Sequence, residues 1–320
     1  MNRALLALAF LCSISSPAEE RKSMYVFQDN FWLNLHQFLR GEAYRRSVRA
    51  TPGLDTGLLP EADSSAWTRA IDSYLDVAKH DVLFDDLSRK IGNALATVGN
   101  AQALPESLDD IIGTNTRVTL NSAAPIYRTR VWPARQRDNE AWIESAKTLL
   151  RLHETTMAAT LARIYRVDWP SGPILVDVVG EVGPNSAITH GGPPGFAAHT
   201  QASAGSRRNT GDAPLELLFH EATHSATVEG HIQNMIQEEC ARQKLQVPEN
   251  LWHAMIMFTS GAVARQELTK SGNLEYVPYA YRYGQYTPVE RSAFERDWQP
   301  YLEGKASLEQ ALHDLVRDAR

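Results

Sequence analysis

The sequence predicts an α+β fold that is predominantly helical, and three observations carry this. Most of the first 165 residues read as helix. Between 139 and 165, for instance, Trp142, Ile143, Ala146, Leu149, Leu150, Met157, Leu161 and Ile164 keep the helical period. The run Ile174-Leu175-Val176-Asp177-Val178-Val179, rich in β-branched residues and bounded by Gly and Pro, is the clearest strand. Helical patterning then returns in the C-terminal third, so the sheet is small.

Taken in order, helices are expected over 28–49, 62–80, 81–99, 107–112 and 139–165. The last is stopped by Asp168-Trp169-Pro170-Ser171-Gly172-Pro173. After the strand at 174–179, the Gly- and Pro-rich stretch 180–195 reads as loop. Residues 196–203 read as an exposed edge strand leading into the next helix, placed to pair with an extended substrate backbone. Asp212 and Pro214 signal a helix start ahead of the apolar residues Leu215, Leu217, Leu218, Phe219 and Ala222. Gly230 is suited to end or bend that helix. Further helices are expected over 249–269, 288–301 and 306–317, with an aromatic loop at 276–284.

Composition narrows the class. A chain of 320 residues with 43% hydrophobic and 22% charged content has the make-up of an ordinary soluble globular protein. The net charge of −6 gives no broad basic field for nucleic acid. The basic clusters Arg40–Arg49 and Arg128–Arg137 have Glu42 and Asp138 within or beside them and read as solvated helix faces. Residues 1–18 read as a cleaved signal peptide. Arg3 is basic, Ala4 to Ile14 is almost wholly apolar yet too short to span a bilayer, and Ser16-Pro17-Ala18 precedes cleavage after Ala18. The expected organisation is therefore 1–18 signal peptide, 19–170 helical region and 171–320 catalytic region, the last two separate or one continuous domain. Cys12 falls in the leader, which leaves Cys240 alone, so no internal disulfide forms. Export without disulfides points to a bacterial periplasmic or secreted protein.

Residues His220-Glu221-Ala222-Thr223-His224 spell H-E-x-x-H. On a helix, positions i and i+4 share a face, so both imidazoles can address one metal ion. Glu221 is placed to act as general base towards water on that metal. Two imidazoles and a carboxylate in so apolar a segment are costly to bury without a compensating charge. Catalytic zinc takes three protein ligands. The candidates downstream are Glu229, His231, Glu238, Glu239, His253 and Glu267. His253 is the first choice because it stands beside Trp252 in the apolar stretch Leu251 to Phe258, with Glu239, Glu238 and His231 as alternatives. His36 reads as a core histidine, while His190 and His199 flank the Gly-Pro loop, facing either substrate or solvent.

The order of strand, edge strand, H-E-x-x-H helix and later helices resembles the zincin metallopeptidases, nearest to the gluzincins. The resemblance runs from about Pro173 to Gln266 and lies in motifs. The longer metzincin pattern is not met, since Thr227 and Gly230 stand where Gly and His belong. Phe31-Trp32-Leu33-Asn34-Leu35-His36 and Leu251-Trp252-His253-Ala254-Met255 look like segments of uncharacterised secreted bacterial proteins that carry H-E-x-x-H. The resemblance implies an exported zinc-dependent hydrolase, a peptidase with Zn²⁺ on His220, His224 and His253, and a peptide or protein substrate. Glu221 is its base, and Tyr279 is the expected hydrogen-bond donor to the oxyanion. The alternative is a non-catalytic zincin-like metal-binding or scaffold protein of the cell envelope. Oligomeric state and cleavage specificity are not legible.

Overall fold

A computed structural model describes residues 22–80, 85–170, 172–183 and 186–319. The expected leader, 1–18, lies outside the described residues, as do 81–84 of the helix expected over 81–99.

The chain begins with β1 (Tyr25–Gln28) and α1 (Phe31–Ser47), followed by α2 (Glu61–Tyr74), α3 (Asp86–Val98), α4 (Asp109–Ile112), α5 (Thr114–Arg130) and α6 (Trp132–Tyr165). Three strands come next: β2 (Ile174–Val179), β3 (Ala187–His190) and β4 (Ala198–Ser203). Helices α7 (Ala213–Thr223), α8 (Ala226–Gln243) and α9 (Leu251–Lys270) carry the region of interest. The chain closes through α10 (Tyr279–Arg282), α11 (Pro288–Ala293), α12 (Gln299–Leu302) and α13 (Leu308–Asp318). The α+β, mostly helical expectation holds. No helix among the described residues is long and apolar enough to cross a membrane.

The strands form one sheet in the order β1-β2-β4-β3, with β1, β2 and β4 parallel and β3 antiparallel to β4. This corrects the expected edge. Residues 198–203 are buried throughout and paired on both sides, with β2 and with β3. The edge beside α7 is β3, from the stretch read as loop. A four-residue strand between Gly- and Pro-rich segments is too short for a visible period of two. β1 is equally short and precedes the helix expected from 28, which begins at Phe31. Helix α5 escaped notice for a different reason: it is polar along much of its length and carries Pro125 in its interior.

Apolar clusters cover both faces of the sheet. Tyr25, Ile174, Val176, Val178 and Ala202 pack against α6, α7, α8, α9 and α13. Val179 and Ile188 pack against α1, α2, α3 and α5. A strand covered on both faces reads as an unbroken apolar run, which is why β2 was legible. Because Tyr25 and α6 share a core with α7 to α13, residue 170 does not divide one core from another. The second face also holds a buried polar layer. His199 lies between Asp177 and Asn93 at 2.8 Å from each, and Gln37 donates to Gln201 at 2.6 Å. His199 is thus 1% exposed and faces α3, neither solvent nor α7.

His36 is the core histidine expected, buried beside the Tyr74 hydroxyl at 3.0 Å. Burial, helped by the Arg40 charge, pushes its pKa down from 6.5 to about 3. The folded state therefore holds a neutral ring, and the unfolded chain binds the extra proton below pH 6.5. Stability from this residue is full above about 6.5 and falls as pH drops towards 3, at up to about 1.4 kcal/mol per pH unit. Urea unfolding between about pH 6 and 4 is expected to show a shallower acid slope for His36→Gln than for the wild type. Equal slopes would mean that the ring is already protonated in the fold.

Candidate metal centre

Helix α7 buries Leu215, Leu218, Phe219 and Ala222 and turns Glu216, His220 and His224 along another stripe, one helical turn apart. The helix stops at His224 rather than at Gly230. His224 N bonds back to Glu221 O at 3.0 Å and Ser225 N to Ala222 O at 3.1 Å, a tightened last turn. Ser225 then takes an extended conformation (φ −59°, ψ 135°) and α8 starts afresh, with Gly230 inside it. This break puts Glu229 in the first turn of α8, where its carboxylate reaches back to His224 Nδ1 at 2.9 Å. The helix N-terminus favours negative charge there. Its other oxygen accepts from Gln233 at 2.9 Å. Glu229 thus braces the His224 ring from outside the cluster of three imidazoles.

His253 arrives on the first turn of α9, behind Asn250 in a left-handed conformation (φ 63°). Ligand atoms of His220, His224 and His253 all lie within 4.8 Å of one another. Trp252 meets the His224 ring edge to face, with centroids 5.7 Å apart. The alternatives sit elsewhere. Glu239 is bound by His313, Gln243 and Arg242, Glu238 is exposed, and Glu267 pairs with His153 and Lys270. His231 is half-buried on α8 and does not line the cleft.

The donor set suits a zinc ion. His220 Nε2 and His224 Nε2 are 3.4 Å apart. Two nitrogens at about 2.0–2.1 Å from a tetrahedral ion stand roughly 3.3–3.4 Å apart. His220 Nδ1 is buried with no hydrogen-bond partner among the described residues. Nδ1 and Nε2 of one ring diverge, so an ion held through Nε2 would leave this nitrogen as it is, and the fit rests on the Nε2 spacing. Burial and the neighbouring rings push His220 well below its ordinary pKa, and burial with His224 takes His253 down to about 4. Both therefore offer lone pairs at neutral pH. For His224 burial pulls down, but the bond to Glu229 and the charges of Glu221 and Glu229 raise its pKa overall.

Glu221 is buried in the same cleft, and its carboxyl is raised by burial. Its hydrogen-bond partner is the Thr189 side chain on edge strand β3, itself 2.7 Å from the Thr200 hydroxyl. With Thr189 donating to the carboxylate, Thr200 supplies the second proton. The cleft, about 420 Å³, is lined by Ser186, by Ala187 to Thr189 of β3, by α7, by Trp252, His253 and Met257 of α9, and by Tyr279. Tyr279 has its hydroxyl 3.5 Å from Ser186 Oγ and its ring centroid 4.7 Å from that of Tyr283. A larger cavity, about 680 Å³, lies on the far side of α9 and holds none of these residues.

Among the lining residues that the sequence did not mark, Glu216 stands out. Glu216, 3% exposed, accepts from the Tyr276 hydroxyl at 2.6 Å and from the Tyr279 backbone N–H at 3.0 Å. Its sequence signal was a second acid in an apolar helix, one turn before His220. Comparison with protein-family models, with curated proteins and with solved structures gives no match.

Proposed function

We propose that this chain is an exported zinc-dependent metallopeptidase of zincin type. The observation that carries the reading is the convergence of His220, His224 and His253 on one point of a cleft that also holds the buried carboxylate of Glu221. A structural site needs no such base, which weighs against a scaffold role.

His220, His224 and His253 would hold the ion, with Glu229 fixing the His224 ring from outside. When bound, zinc supplies a Lewis acid that polarises a carbonyl and acidifies water. Glu221 takes the proton of the attacking water and passes it to the leaving amine, a task suited to a carboxyl raised by burial. Tyr279, at the cleft wall, donates to the developing oxyanion. Edge strand β3, last in the sheet and lining the cleft, is where an extended peptide would pair, the role first assigned to 196–203.

Purified protein loaded with zinc is expected to bind about one ion per chain and to cleave members of a diverse peptide library read by mass spectrometry. Cleavage should stop with 1,10-phenanthroline and return with added zinc. A chain that binds zinc but cleaves nothing supports the scaffold alternative, and one that binds none removes both readings.

A further inference from the structure

We propose that Glu216 is a positioning residue: it clamps the tyrosine-bearing loop to the metal helix and so sets Tyr279 in the cleft. Three elements meet at this carboxylate. Glu216 belongs to α7, one turn before His220 on the same stripe. Both its oxygens lie within 3.1 Å of the Tyr279 backbone N–H, and Oε2 also accepts from the Tyr276 hydroxyl. The third element is α9, which carries His253. There Gly261 lets helix, loop and carboxylate close up, since a Cβ at this position would stand 2.8 Å from Pro278 Cβ and 3.0 Å from Glu216 Oε1.

Packing alone does not call for an acid here. The carboxyl is buried, and burial lifts its pKa to about 7 against the lowering effect of the Tyr276 and Tyr279 hydrogen bonds. The Arg282 charge also lowers it, but is the weakest of these influences. A group that is costly to bury is retained where its hydrogen bonds fix a geometry. What these bonds fix is the start of α10, where the Tyr279 N–H is one of the orphan donors of a helix N-terminus. From that anchor the Tyr279 side chain lines the cleft beside Ser186.

The inference rests on the metallopeptidase reading for its catalytic consequence but not for its structural one, so two measurements separate them. The first is amide hydrogen exchange, which requires no substrate. Glu216→Ala is expected to speed exchange at Tyr279 and over 279–283 by about 10-fold or more, with α9 amides unchanged and zinc affinity within about 3-fold of wild type. Glu216→Gln keeps an acceptor oxygen and should restore most of the protection. Unchanged exchange at Tyr279, or zinc affinity lost together with protection, overturns the proposal. If protection falls as expected in a protein that cleaves no peptide, the clamp stands and the peptidase reading fails.

The second is a double-mutant cycle on a library peptide that the wild type cleaves. Glu216→Ala and Tyr279→Phe should each lower kcat by about 10²-fold with little change in KM, and the pair should be no worse than about 3-fold below the lower single variant. Multiplying effects would show that Glu216 acts independently of Tyr279 and would overturn the proposal.

Discussion

His253→Ala is expected to weaken zinc binding as severely as His224→Ala, although His253 lies outside the H-E-x-x-H motif and 28 residues separate the two rings. Structural zinc sites with four ligands bind with about 10–16 kcal/mol, so one ligand accounts for roughly 3–4 kcal/mol, or about 10²–10³-fold in affinity. Competition with a chromophoric chelator measures this directly. Glu229→Ala removes only the carboxylate behind His224, and a loss of about 10–100-fold is expected. Glu239→Gln and Glu238→Gln are expected to leave affinity nearly unchanged. The first disturbs the contacts to His313 and Arg242 at the other end of α8, and the second alters an exposed side chain. Dependence on Glu238 or Glu239, with His253 silent, would replace the triad by a carboxylate-completed site. The order expected here follows from where α7 breaks, since a helix running on through Ser225 would carry Glu229 away from His224.

How much of this was legible depends on the range over which each feature is encoded. The spacing of His220 and His224 is local, and helix geometry makes it a common ligand face wherever it folds. His253 was readable because an imidazole in the first turn of an apolar helix needs a partner, although nothing local says where that partner lies. The outer residues were not readable in the same way. Glu229 earned attention as a ligand, but its actual place follows from the break at Ser225, and nothing in Ser225-Ala226-Thr227 signals a restart as firmly as Gly230 signals an end. Glu216 meets Tyr276 and Tyr279 across some 60 residues, a pairing fixed by the packing of α7 on α9. The edge strand was misplaced for a related reason. Residues 198–203 alternate poorly because both faces and both edges of β4 are covered, and β3 is hidden in turn-forming sequence.

Glu221→Gln is expected to keep zinc, keep the fold and lose turnover by about 10²–10⁴-fold, the usual weight of a general base. Zinc occupancy should hold because Glu221 is not among the three residues whose ligand atoms converge. The fold should hold because glutamine is nearly isosteric and its carbonyl oxygen can still accept from Thr189. Stability carries a sharper test. Burial raises the folded pKa of Glu221 above its ordinary 4.5, so above that value the fold bears the cost of a desolvated carboxylate that the unfolded chain does not. Stability from this residue is greatest at acid pH and declines as pH rises through the folded pKa. At pH 7 the neutral amide escapes that cost, so the variant should unfold at a temperature equal to or above that of the wild type. Activity and stability then move in opposite directions, as they do where a buried charge is kept for chemistry. A Glu221→Gln protein that melts earlier and loses zinc along with turnover would make Glu221 a support of the site instead of its base.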